Sequence, residues 1–145
     1  VAETRITFTL NHLVSVLNSQ ADAILRERYG MTFSQFLFLT TLHGSRMSMT
    51  DLARCLGVST AAVSKRAPWF EERGLIKLQQ DRAHERRILL DLTPRGSRLA
   101  LKAAAELDNT FVEHFQGYDG PDLAALNDQL NQVLAHLTGA PADSA

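Results

Sequence analysis

Small hydroxyl and basic side chains crowd residues 59–66, S-T-A-A-V-S-K-R, and a second basic group follows at Arg82, His84, Arg86 and Arg87. Hydroxyls and amines at such positions can bond base edges or phosphates, and an alanine methyl fits against a thymine methyl. A guanidinium can hold a phosphate or enter a narrow groove. An exposed solubilising charge is the plain alternative for each arginine, so position has to decide between the two.

Other chemistry finds little to work with. There is no G-x-S-x-G, P-loop, H-E-x-x-H or paired-carboxylate arrangement, so neither an enzyme nor a cofactor is expected. His12, His43, His84, His114 and His136 are scattered without the close pairs of a metal site. Three of them, His12, His114 and His136, fall on helices that could converge, but a lone histidine on a helix is more often structural, and no metal is expected. The single cysteine, Cys55, excludes an intrachain disulfide. Although Arg54 stands beside it, it reads as a partly buried, inert thiol.

A chain of 145 residues, 45% hydrophobic and 21% charged, fits one compact domain. Its net charge of −1 hides an asymmetry: residues 46–98 hold eleven Lys/Arg against six acids, and the remainder holds four against ten. A basic middle between acidic ends suits a nucleic-acid face on a neutral scaffold, although a solvated mixed-charge face is the commoner origin. The longest apolar runs fall well short of the roughly 18 residues a membrane span needs. The opening VAETRITFTLNHLVSVLNSQ lacks a basic start and a small-residue cleavage site, so a soluble, cytoplasmic protein is expected.

Positioning the basic groups requires a helix through residue 66 and a hairpin around residue 84, and the pattern predicts both. Leu10, Leu13, Val14, Leu17, Ala21, Ile24 and Leu25 recur at spacings of three and four, giving a long helix that ends near Tyr29-Gly30. T-F-S-Q at Thr32 is a capping box for a second helix through Phe36, Leu37 and Leu39 to His43-Gly44. S-M-T-D at Ser48 opens a third, which ends at Gly57, and Ser59 caps a fourth. Two helices joined by a short glycine-bearing turn predict a helix-turn-helix, packed through Leu52, Ala53, Leu56, Val58 and Val63. Pro68 interrupts the fourth helix, removing the N–H that would bond the Ser64 carbonyl at a cost of about 3 kcal/mol. Because Val63, Ala67 and Phe70 need one face, a kinked but continuous helix is favoured over a break. Trp69 is expected to pack on a neighbouring helix or line a pocket, mainly as core filler.

After Gly74, L-I-K-L-Q-Q and R-R-I-L-L-D-L-T alternate with period two, so Ile76 and Leu78 face Ile88, Leu90 and Leu92 across a hairpin with D-R-A-H-E-R at its tip. Thr93 as N-cap and Pro94 at the first helical position open a fifth helix, striped by Leu99, Ala103, Leu107, Phe111 and Phe115. G-Y-D-G-P-D ends it, and Leu123, Leu126, Leu130, Val133, Leu134 and Leu137 mark a sixth. The expected fold is mainly α with a small β-hairpin: a winged helix-turn-helix at residues 32–93, N- and C-terminal dimerisation helices at 5–30 and 94–138, and a flexible tail at 139–145, in a single domain over 1–145. The outer helices carry apolar stripes that a small winged helix cannot cover, so part of that surface should bury against a second copy.

The helix order, the stretches MSMTDLARCLGVSTAAVSKR and ERGLIKLQQDRAHERRILLDLTPRG, and the flanking helices resemble the MarR family of bacterial transcriptional regulators over nearly the whole chain. In the wing the family commonly shows D-P-x-D-x-R, a short strand and L-T-x-x-G. This chain has Asp81-Arg82-Ala83-His84-Glu85-Arg86 and Leu92-Thr93-Pro94-Arg95-Gly96, departing at Arg82 for Pro and at His84 for Asp. The second departure removes the acid of the Asp–Arg pair that braces the wing in many members, leaving Asp81 and Glu85 as substitutes. The resemblance implies a homodimeric repressor on a pseudo-palindromic stretch of double-stranded DNA. Each copy would set helix four in the major groove through Ser59, Thr60, Ala61, Ser64, Lys65 and Arg66, with Arg82, His84, Arg86 and Arg87 of the wing near the minor groove. It also implies a small aromatic or phenolic effector between the dimer helices and the winged helix. Members that sense peroxide carry a reactive cysteine in the first helix, where this chain has none. The alternative is a winged helix that binds protein without reading DNA; it would need neither the basic wing nor the small polar residues.

Overall fold

Helix starts are set by side chains that satisfy backbone N–H groups left without intrahelical partners. In the computed structural model, which describes residues 2–84 and 86–139, Thr32 and Gln35 do this reciprocally. Thr32 Oγ1 accepts from the Gln35 N–H at 3.1 Å and Gln35 Oε1 accepts from the Thr32 N–H at 2.8 Å, starting α2 (Phe33–Leu42). The preceding helix, α1 (Ala2–Tyr29), contributes Asp22, whose carboxylate accepts from the Phe33 N–H at 2.9 Å and from Arg26 at 2.6 Å. An acid from one helix thus closes the positive end of the next.

Ser48 Oγ accepts from the Asp51 N–H at 3.1 Å and starts α3 (Met49–Leu56), and Ser59 Oγ accepts from the Ala62 N–H at 3.1 Å and starts α4 (Thr60–Glu72). Between them Gly57 sits at φ 67°, ψ 32°, a left-handed conformation that costs other residues about 1–2 kcal/mol. Leu52, Ala53 and Val63 are buried between the two helices, and α4 runs unbroken through Pro68. Val63, Ala67 and Phe70 are all buried, while Pro68 and Ser64 are exposed, where water can replace the missing donor. Phe70 stacks on Phe38 with ring centroids 4.1 Å apart, and burying a phenylalanine stabilises by roughly 1.5–3 kcal/mol. That gain offsets the proline.

The hairpin pairs β2 (Ile76–Gln80) with β3 (Ile88–Leu92) antiparallel, with Ile76 opposite Leu92 and Leu78 opposite Leu90, as the alternation allows, while Ile88 stands opposite Gln80. A two-residue strand, β1 (Met47–Ser48), pairs with the other side of β3, so the order is β1-β3-β2. Two residues show no periodicity, and the sequence shows Ser48 only as a cap. At the base of the hairpin Thr93 accepts from the Gly96 N–H at 3.0 Å and donates its hydroxyl to the Gly74 carbonyl at 2.6 Å, while its N–H donates to Leu75 at 3.0 Å. This opens α5 (Pro94–His114) hard against the hairpin: a β-carbon on Gly96 would overlap the Leu75 carbonyl.

One expectation about burial is corrected. Cys55 is exposed, because Leu52, Ala53 and Leu56 take the inner face of the short α3 and leave Cys55 on the outer one. In the run Phe36–Leu39, Phe38 is buried and Leu37 is 39% exposed, a choice that four consecutive apolar residues cannot encode.

The chain divides into two compact units, Val1–Phe111 and Val112–Ala145. The first holds the core, which runs from Leu25 and Met31 through α2, α3 and α4 to Leu75, Leu90 and Ala103. Glu106 of α5 there pairs with Arg28 and accepts from Tyr29 Oη at the end of α1. In the second, α6 (Leu123–Thr138) is capped by Asp122, closed by Gly139 in a left-handed conformation, and has no buried residue. The remainder of the expected tail, residues 140–145, lies outside the described residues.

Candidate nucleic-acid interface

The inner face of α4 is fixed by Val63, Ala67 and Phe70, which leaves the other side of its first two turns to solvent. Ser59, Thr60, Ala61, Ser64, Lys65 and Arg66 are all exposed there. Ser59 Oγ already accepts the capping hydrogen bond, so its O–H remains for donation. Arg66 donates to Ser34 Oγ of α2 at 3.2 Å, and with Lys65 it borders a groove along Thr32, Ser34 and Gln35.

The wing tip is a tight backbone turn. Asp81 N–H donates to the Arg87 carbonyl at 2.8 Å, Arg87 N–H to the His84 carbonyl at 2.9 Å, and Ala83 N–H to the Asp81 carboxylate at 3.0 Å. Arg82, His84 and Arg86 project from it, exposed. Arg87 is different: its guanidinium donates to Asp51 Oδ2 of α3 at 2.8 Å and reaches Asp81 at 4.0 Å. Arg54 approaches the same Asp51 at 3.4 Å. The Ser48 hydroxyl above all, then Arg87 and Arg54, hold the Asp51 carboxyl below its ordinary value against partial desolvation. The brace of the wing is therefore an α3 acid, with Asp81 secondary; Glu85 lies outside the described residues.

This brace brings the two expected groups together. Thr60 shares one depression with His84, Arg86 and Arg87, and Thr50 of α3 lines it as well. Arg82 stands apart from that depression, as do Lys65 and Arg66. Sequence reasoning missed Thr50, Ser34 and Asp51. Asp51 had a signal in S-M-T-D, but its partner lies 36 residues away. Cations thus border an exposed, small-residue helix start, an arrangement suited to a polyanion with readable edges. Among the described residues no group of three His, Cys, Asp or Glu could hold a metal ion, and no helix is long and apolar enough to cross a membrane.

A helix-turn-helix followed by a β-hairpin, to which a short preceding strand adds a third strand, defines a winged helix protein. Residues 29–87, most of the winged helix, match the MarR family model. No curated protein matches the sequence. Among solved structures, AbsC, a MarR family transcriptional regulator from Streptomyces coelicolor, is similar at 25% identity over 95% of each chain, with a TM-score of 0.75. The transcriptional regulator BldR from Sulfolobus solfataricus shares 21% identity over 93% of this chain and 96% of its own, with a TM-score of 0.79. Sco3205, a MarR family transcriptional regulator from Streptomyces coelicolor solved in complex with DNA, shares 18% over 93% and 87%, with a TM-score of 0.75.

Proposed function

We propose that this protein is a cytoplasmic transcriptional regulator that binds double-stranded DNA as a homodimer and represses from a pseudo-palindromic operator in response to a small effector. The observation that carries the DNA reading is the shared depression of Thr60, His84, Arg86 and Arg87 beside the exposed start of α4. Ser59, Thr60, Ala61, Ser64 and Lys65 read bases, Arg66 and the wing arginines take phosphates or the minor groove, and Arg87 also braces the wing. The DNA complex of the similar Sco3205 supports this reading. The homodimer is supported by apolar side chains left uncovered on α1 and α6, among them Phe8 at 80% and Leu137 at 75% exposure.

The test is a binding assay of the purified protein on fragments of genomic DNA, including its own promoter region, at two salt concentrations. Tight, salt-sensitive, sequence-selective binding is expected. Absence of selective binding at either salt sinks the DNA reading and favours a winged helix that binds protein.

A further inference from the structure

Four cations at the opposite end of α4 have no acid partner among the described residues. Arg73, just past α4, and Arg95, Arg98 and Lys102 of α5 line one open cleft with Trp69 and Tyr29. All four are exposed, and among the described residues none of them forms an ion pair, whereas Arg26, Arg28, Arg54 and Arg87 each have a carboxylate partner.

Folding alone disfavours this arrangement. Arg95, Arg98 and Lys102 stand at i, i+3 and i+7 on one face of α5, where like charges repel. Arg95 and Arg98 also load the positive end of the helix, whose first turn holds no acid. Meanwhile Arg73 is already oriented: its guanidinium lies 3.9 Å from the Trp69 ring centroid and donates to the Trp69 carbonyl at 3.0 Å. Nor does base reading account for the group, because the 13 residues of α4 put about 20 Å between Ser59 and Arg73.

We propose that this cleft binds a small polyanion, a molecule with two or more phosphate or carboxylate groups, held by Arg73, Arg95, Arg98 and Lys102 beside Trp69. Guanidinium forks take such oxyanions through paired N–H donors. The site goes beyond the DNA reading and stands without it, since binding is measured on protein free of DNA.

Trp69 is the single tryptophan, so its fluorescence reports on the cleft. Titration with pyrophosphate, and separately with citrate, should change its emission saturably; the two arms distinguish a phosphate from a carboxylate ligand, and saturation by either supports the site. Arg95→Ser with Arg98→Ser should weaken binding about tenfold while Tm holds or rises as repulsion is relieved. Arg73→Gln, read by calorimetry because it alters the baseline emission, should weaken it in the same direction. A response reproduced by potassium chloride at equal ionic strength, or left intact in both variants, overturns the proposal. Displacement of pyrophosphate by random-sequence duplex DNA overturns it as well, since the cleft would then be a DNA-backbone contact.

Discussion

Arg86 and Arg87 are neighbours with different duties. Arg87 is tied to Asp51, whereas Arg86 has no acid partner among the described residues and is free for a phosphate. Arg86→Ala should therefore weaken operator binding and lower its salt slope by about one phosphate contact; a slope that stays put in binding isotherms removes Arg86 from the interface. Ser64→Ala with Lys65→Ala should erase sequence preference more than total affinity, and equal losses on operator and random DNA would contradict their base-reading role. Asp51→Asn acts at one remove: amide exchange at Ala83, His84 and Arg87 should quicken, with a smaller affinity loss than Arg86→Ala causes. Acid should weaken the same contacts by protonating the carboxylate. Asp51 and Asp22 have folded values below the 3.8 of a free side chain, so the stability they contribute is complete above that value and is lost as pH falls through the lowered ones. The urea midpoint should drop below about pH 4, and Asp51→Asn with Asp22→Asn should flatten that drop.

At the scale of elements, α4 is a helix kept whole against its own sequence. The stacked Phe38 and Phe70 and the buried Ala67 hold it through Pro68, so Pro68→Ala should stabilise the fold, by up to about 3 kcal/mol in urea melts. If operator affinity falls in the same variant, the proline sets the angle of the reading end; unchanged affinity means it is merely tolerated. The elements were legible in the sequence wherever a local signal existed. Thr32, Ser48, Ser59 and Thr93 each cap within three or four residues, and the strand alternation located the hairpin, while its register comes from the fold. Features that depend on distant partners were not legible: β1 exists only because β3 lies beside it, and the outward turn of Cys55 follows from which face of α3 meets α4. The candidate site divides the same way. Its exposed residues on α4 and the wing were found by position, while Thr50, Ser34 and the Asp51 brace needed the fold.

For the whole molecule, the first unit carries its own core and the second has a helix with nothing buried. Apolar residues that stay bare on α1 and α6 are the surface the proposed homodimer would cover. Leu134→Asp with Leu137→Asp should shift the protein toward monomer in sedimentation equilibrium and weaken operator binding, while the winged helix keeps its thermal transition. A dimer that survives both charges would exclude this part of α6 from the interface. If the proposed dimer forms, its two α4 helices should sit about one DNA turn, 34–36 Å, apart.

The placement of β3 in the middle of its sheet bears on how such a reader could be switched. β3 is hydrogen-bonded on one side to β2 and on the other to Met47–Ser48, the residues that run directly into α3, and Arg87 adds a clasp to Asp51. Among the described residues the base of the wing is thus bonded to the residues leading into α3, and we expect wing and helix-turn-helix to move together as one jaw. In a dimer, control then belongs to the gap between two jaws, and an operator with a base pair inserted between its half-sites should distinguish the switched from the unswitched state better than any change within a half-site.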